Sequence, residues 1–485
     1  MAEGSDVVRG ERFSGGPARG FLSSMAADER IFRADLAVDR AHVVMLAEQG
    51  IVDEESAGSI LDGLAAVEEA GYDHLSGEDI HAAIESAVID RVGPDGGRMH
   101  TARSRNDEVA TCLRYRFRED LLDTIDATLA LRSALLESAR EHTETLMPGY
   151  THRQPAQPTT VGHFLASYEQ AFARDTERLV AAYDRTNRSP LGAAAFAGTP
   201  FEVDRERTAD LLGFDGLVEN SMDAVSTRDF LVEGASALAS LSVSLSGLAT
   251  DLVEFASDGY LDVHDDYAST SSIMPQKKNP DSLELVRACS GDANAGLNGL
   301  LTTLKGLPRA YNRDLQTATP HAWDSVDAVV PATEVAAGAV ATARWEREAL
   351  ADAASAGFST ATGVADLLAM AGLPFRTAHE ILALAAKDIE DGAAVEYGTV
   401  AAAAEAVLDD SLDSYVEREA VERALDPEAS VASRDSFGGP APASVEAALD
   451  RREAGVDEDE DALADRRAQL DGAAEALERE VARRG

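Results

Sequence analysis

Lysine is nearly absent from this chain of 485 residues: only Lys277, Lys278, Lys305 and Lys387 occur among 43 basic residues, against 87 acidic ones. The formal charge of −44 speaks against nucleic-acid partners, because polyphosphate repels an acidic surface. Asp and Glu are spread along the whole chain, so a disordered acidic tail does not account for them. So many carboxylates with so little lysine read as adaptation to concentrated salt, where screening removes self-repulsion, and predict instability in dilute buffer. Cysteine is scarce too. Cys112 and Cys289 have no paired spacing, which argues against a disulfide framework or a zinc site and points to a reducing cytoplasm. Aromatics make up only 5% of the chain, so a core drawn from 45% hydrophobic residues is aliphatic and suits helices packed on helices. No uninterrupted apolar run reaches membrane-spanning length, and the polar, Gly-rich first twenty residues lack the apolar stretch of a secretory signal. Neither a Gly-rich nucleotide loop nor an HExxH zinc helix occurs.

What is present is helical periodicity, and the length suits about three domains. Residues 1 to about 24 read as irregular. Helical spacing runs from Ile31 to Leu64, and the turn-rich stretch 92–97 closes a first helical domain, 1–106. In 107–355, Leu238, Leu241, Leu245, Leu248, Leu252 and Phe255 follow Leu231 in alternating steps of three and four, the rhythm of helices packed at shallow angles. Interspersed serines, Ser236 to Ser246, exclude a lipid-facing span. Bundles of such long helices commonly continue across subunits. Residues 356–485, Ala- and acid-rich with breaks at 372–374 and 437–442, read as a smaller helical domain. The expectation is an all-α chain with a long central bundle.

Three segments depart from the acidic background. His100-Thr101-Ala102-Arg103-Ser104-Arg105-Asn106-Asp107 mixes guanidinium groups, which bind carboxylates bidentately, with neutral donors that fix orientation. The bland alternative is a capped helix start with a solvated Arg pair. Gly149-Tyr150-Thr151-His152-Arg153-Gln154-Pro155-Ala156-Gln157-Pro158 reads as a rigid loop presenting a histidine for proton transfer, although a lone histidine is usually an ordinary polar residue. His163, flanked by apolar residues, reads as structural. The third segment, 270–284, holds half of all the lysines, side by side at Lys277 and Lys278. Their survival argues that arginine cannot replace a compact ammonium there, as expected of a mobile loop that closes over substrate and stabilises developing negative charge.

Together these segments resemble the signature regions of the fumarase/aspartase superfamily. The wording HTARSRND, GYTHRQPAQP, SSIMPQKKNPDSLE, with 199–214, 219–230 and 306–316, is similar to the argininosuccinate lyases, and the acidic surface suggests a form from a salt-loving microbe. The resemblance covers nearly the whole chain. It implies a three-domain all-α fold, a homotetramer with active sites shared between subunits, and reversible anti elimination of argininosuccinate to arginine and fumarate, with no metal or organic cofactor. It also implies that Lys277 and Asn279 stabilise the carbanion-like intermediate, and that Ser271 and His152, the latter oriented by Glu284, are the acid/base pair. Either order is open; Lys277 favours Ser271 as the base. Substrate contacts carry over to Asn106, Thr151, Tyr311 and Gln316, with Arg105, Asp107, Ser104 and Arg228 around the carboxylates. Two positions depart from the pattern: Thr319 stands where a substrate-binding lysine is common, and Asp35 where a serine is common. Both are expected at the substrate periphery, with Arg309 or Arg313 as candidate replacement cations. Rival readings are a sister lyase for adenylosuccinate, aspartate or malate, and a non-catalytic tetramer like the lens crystallins.

Overall fold

The computed structural model describes residues 17–388 and 395–485, and it is all-α apart from three small antiparallel pairs. The start of the chain expected to lack a signal lies, for residues 1–16, outside the described residues. The remainder of the stretch expected to be irregular forms short helices at Pro17–Leu22 and Met25–Asp28. Helices α1 (Phe32–Glu48), α2 (Glu54–Ala70) and α3 (Ile80–Val92) follow. Asp53 and Asp79 cap α2 and α3 by accepting the Ser56 and Ala82 N–H groups. The turn-rich stretch after α3 tightens into a 3-10 helix, Pro94–His100.

Five long helices make the body: α4 (Arg105–Glu141), α5 (Val161–Thr186), α6 (Asp229–Ser257), α7 (Asp281–Leu304) and α8 (Asp314–Thr342). The heptad from Leu231 to Phe255 lies on α6 and every member is buried, packed toward α5, α7 and α8. By length and a mean hydropathy of 1.4, α6 alone among the described residues could cross a membrane, yet 56% of that window is buried inside the bundle. Close approach of α7 to α8 depends on glycine: a Cβ at Gly296 would fall 2.5 Å from the His321 carbonyl oxygen. The outer faces carry exposed apolar residues, Leu285 at 73% and Val243 at 60% exposure, unusual on central helices of a soluble bundle.

Helices between Ala361 and Ala432 enclose a separate apolar cluster that includes Val364, Leu368, Ile381, Val400 and Val421. The last helix, α9 (Pro442–Ala482), instead runs back along α4 and α5, and its Val445, Leu449, Val456 and Leu463 join the main core. Ion pairs reinforce it, with Arg132 of α4 bridging Glu169 of α5 (3.0 Å) and Asp459 of α9 (2.6 Å). The strands pair as β1 (Leu146–Thr151) with β2 (Gln154–Thr160), β3 (Leu261–Asp262) with β6 (Arg344–Trp345), and β4 (Ser269–Thr270) with β5 (Lys278–Asn279).

Candidate active site

Helices α3, α4, α6 and α8 all begin at one end of the bundle, around a cleft of about 170 Å³. Arg105, Asn106, Arg228, Tyr311, Gln316 and Thr319 line it. Four helix starts aim their positive dipole ends at this space, and those of α6 and α8 have no side-chain cap. Among the described residues, the buried Arg105 Nη2, Arg228 Nε, His81 Nε2 and Trp323 Nε1 of the lining have no hydrogen-bond partner, and His81 Nδ1 meets the Asp35 carboxylate at 2.9 Å as an ion-pair contact without hydrogen-bond geometry. Buried donors are normally satisfied, so their convergence on one cleft marks a place for acceptors. Arg228 is fully enclosed, and burial pulls its guanidinium down to about 10; its Nη1 donates only to carbonyls, the nearer being Thr227 at 2.8 Å. Arg105 Nη1 meets Asp79 at 3.2 Å, and Gln316 Nε2 donates to the Leu22 carbonyl at 3.1 Å. Thr319 brings no charge to the cleft, its hydroxyl directed at the Leu315 carbonyl. Of the two candidate replacements, Arg313 lines the cleft and pairs with Glu78 at 2.5 Å, whereas Arg309 pairs with Asp223 and does not line it.

The other expected residues stand outside this cleft. The 149–158 segment, expected as a rigid loop, forms the β1–β2 hairpin, with His152 and Arg153 at its tip. Both tip residues have positive φ, 54° and 59°, as a type I′ turn requires and as non-glycine residues seldom adopt. Arg153 ties the tip to Glu254 of α6 while His152 is exposed. Thr151 lines a separate depression with Tyr150 and Arg434. Ser271 sits on the exposed connection between β4 and β5, where its Oγ accepts the Met274 N–H at 3.1 Å and the Ile273 N–H at 3.4 Å. Lys277, Asn279 and Glu284 line a third hollow beside α6. The two lysines divide: Lys278 pairs with Asp262 (3.1 Å) and Asp265 (2.8 Å), and Lys277 makes no ion pair among the described residues. His163 bridges Thr159 and the Gly438 carbonyl, each at 3.0 Å.

Two residues of the HTARSRND segment support the cleft from behind. Ser104 caps α4, accepting the Asn106 N–H at 3.3 Å, while Asp107 accepts the Ser104 N–H at 2.9 Å to complete a capping box. Asp107 also takes the Gly192 and Ala194 N–H groups at 3.0 and 2.8 Å, fixing the 192–195 turn to which Asn106 donates through the Ala195 carbonyl. Burial pushes the Asp107 carboxyl up to about 6, against the pull of those N–H donors.

Asp35 requires a correction. It is fully buried and lies at no substrate periphery; its carboxylate is 2.9 Å from His81 Nδ1. It belongs to a buried group in which Arg103 bridges Asp39 (2.6 Å) and Glu108 (3.0 Å). Arg103 is thus committed to carboxylates of the core, neither free for a substrate carboxylate nor solvated as the bland alternative had it. Sequence reasoning missed His81 altogether. The available signal was Asp79, which caps α3 and so marks His81 as a residue of the helix's first turn.

The fold and the cleft define a lyase of the fumarase/aspartase type. Residues 21–294 match the family described as Lyase, and 358–432 match the argininosuccinate lyase C-terminal family. The chain is 66% identical to the argininosuccinate lyase of Natronomonas pharaonis, across 99% of this chain and 97% of that protein. It is 64% identical to that of Haloarcula marismortui, across 98% and 96%. Among solved structures, an EDDS lyase in complex with formate superposes with a TM-score of 0.87 at 34% identity, covering 100% of this chain and 98% of that one. A class II fumarase from Schistosoma mansoni, 14% identical, shares the fold with a TM-score of 0.70, covering 82% and 90%. The chain belongs to the argininosuccinate lyase family.

Proposed function

We propose that this protein is a cytoplasmic, homotetrameric argininosuccinate lyase that forms L-arginine and fumarate in the last step of arginine biosynthesis. The observation that carries the reading is the cleft itself: unpartnered buried donors and four helix starts form a site for carboxylates within one chain. The reacting groups lie on two hairpins that project elsewhere. Each active site is therefore completed by neighbouring subunits, one presenting the His152 tip and another the Ser271–Lys277 loop. The exposed apolar residues on α6 and α7 supply the faces through which long helices associate.

In the reaction a base takes the proton from the succinyl carbon beside a carboxylate, and the electron pair is held as a doubly charged carboxylate. The carbon–nitrogen bond then breaks, and an acid protonates the departing guanidino nitrogen. Lys277 and Asn279 stabilise the dianion. Ser271 is the base, a role supported by the two backbone N–H groups already directed at its Oγ, donors that favour an alkoxide. His152, oriented by Glu284, is the acid. Arg105, Asn106, Thr151, Arg228, Tyr311 and Gln316 hold the substrate, with Ser104 and Asp107 fixing Asn106. Purified tetramer in molar potassium chloride, given argininosuccinate, is expected to release fumarate and arginine in equal amounts, and Ser271→Ala to release neither. Turnover of adenylosuccinate, aspartate or malate in place of argininosuccinate would refute the substrate, and turnover by Ser271→Ala would refute the mechanism.

A further inference from the structure

We propose that His81 is a substrate-binding residue whose Nε2–H donates to a carboxylate of the ligand held in the cleft. His81 is the second residue of α3, and its side chain is 5% exposed. Its Nδ1 edge is turned to the buried group behind the cleft, 2.9 Å from Asp35 and 3.7 Å from Glu108. Neither of those carboxylates lines the cleft, whereas the His81 side chain does, together with Arg105 and Arg228. The opposite edge of the ring, which carries Nε2, therefore faces the cleft, and Nε2 is buried with no acceptor among the described residues. A buried N–H is left without a partner only at a cost that a bound acceptor removes.

The carboxylates behind the ring also settle its charge. Burial alone would strip the proton, but Asp35 and Glu108 outweigh it and raise the group to about 10. Both nitrogens then carry hydrogen, so the cleft meets a donor and a positive charge. Asp35 is thereby a positioning residue: it holds His81 by its far edge, as a second carboxylate holds the imidazole of many binding sites. This gives the aspartate at position 35 a function without any contact to the ligand. Two anionic groups, Asp28 and Asp79, line the same cleft, so the cation at His81 is surrounded by charges of both signs, as a zwitterionic amino-acid derivative with extra carboxylates requires.

The inference rests on the elimination proposed above, and steady-state kinetics on the tetramer separate the two. Replacing His81 alone strands Asp35 in the core, so the decisive variant is His81→Leu with Asp35→Asn, which removes one charge of each sign. A lost charge-assisted hydrogen bond predicts a KM for argininosuccinate raised about tenfold or more, with kcat changed much less. His81→Gln, which retains an N–H of similar reach, is expected to recover part of that loss, and Asp35→Asn alone, which weakens the hold on the ring and its charge, to raise KM in the same direction by a smaller factor than the double variant. A folded double variant with the wild-type KM overturns the inference. So does an equal loss in His81→Gln and the double variant accompanied by a lowered thermal midpoint, which a purely structural role would produce. If wild type itself leaves argininosuccinate untouched, the proposed function has failed, and the inference falls with it for a different and recognisable reason.

Discussion

Tetramers assembled from equal amounts of His152→Ala and Gln316→Ala chains are expected to regain activity that neither variant has alone. His152 lies at a hairpin tip and Gln316 in the cleft, and within one chain the hairpin contributes nothing to the cleft lining. A working site needs a cleft from a chain with intact Gln316 and a hairpin from a chain with intact His152. When chains mix at random, each requirement is met half the time, so roughly one quarter of sites recover. Asn106→Ala with Gln316→Ala is the control. Both residues line the same cleft of the same chain, so every cleft in that mixture carries one defect and no site recovers. The chains are mixed by joint refolding in concentrated salt, the hybrid composition is checked by native mass spectrometry, and fumarate is followed by its ultraviolet absorbance. Hybrids of proven composition that remain inactive, or recovery in the control pair, would refute the shared-site geometry.

Acid sensitivity follows from His42, buried with Nε2 2.9 Å from the Thr101 carbonyl and depressed by burial to about 3. Its unfolded form takes up a proton near pH 6.5, so the stability it contributes is complete above that value and declines as pH falls from 6.5 toward 3. The slope approaches about 1.4 kcal/mol per pH unit. His42→Gln is expected to flatten the slope of the thermal midpoint in that window, and an unchanged slope would show that other groups dominate. Salt dependence follows from the charge of −44. The thermal midpoint is expected to rise steeply as potassium chloride goes from about 0.1 M to molar concentrations, where the screening length falls from about 10 Å to about 3 Å. A salt-independent midpoint would dissociate the acidic composition from stability.

By itself the sequence determined what depends on local order along the chain. The alternation of three and four from Leu238 to Phe255 is enough to specify one buried face of a helix, and that face is buried. The lysine pair at 277–278 marked a special loop because local composition is visible without a fold. Motif wording also named the residues around the cleft, since Arg105, Asn106, Arg228, Tyr311 and Gln316 do meet there. Only the tertiary structure decided which side each residue takes. Arg103 and Arg105 are two positions apart in one motif, yet helix geometry sends one into a buried ion cluster and leaves the other at the cleft. His81 and Asp35 are distant in sequence, and only the packing of α3 against α1 makes them partners. Likewise, α9 has too little periodicity for its destination along α4 to be read from the chain. Long-range pairing sets these choices, because a buried charge is tolerable only beside a counter-charge that another element supplies.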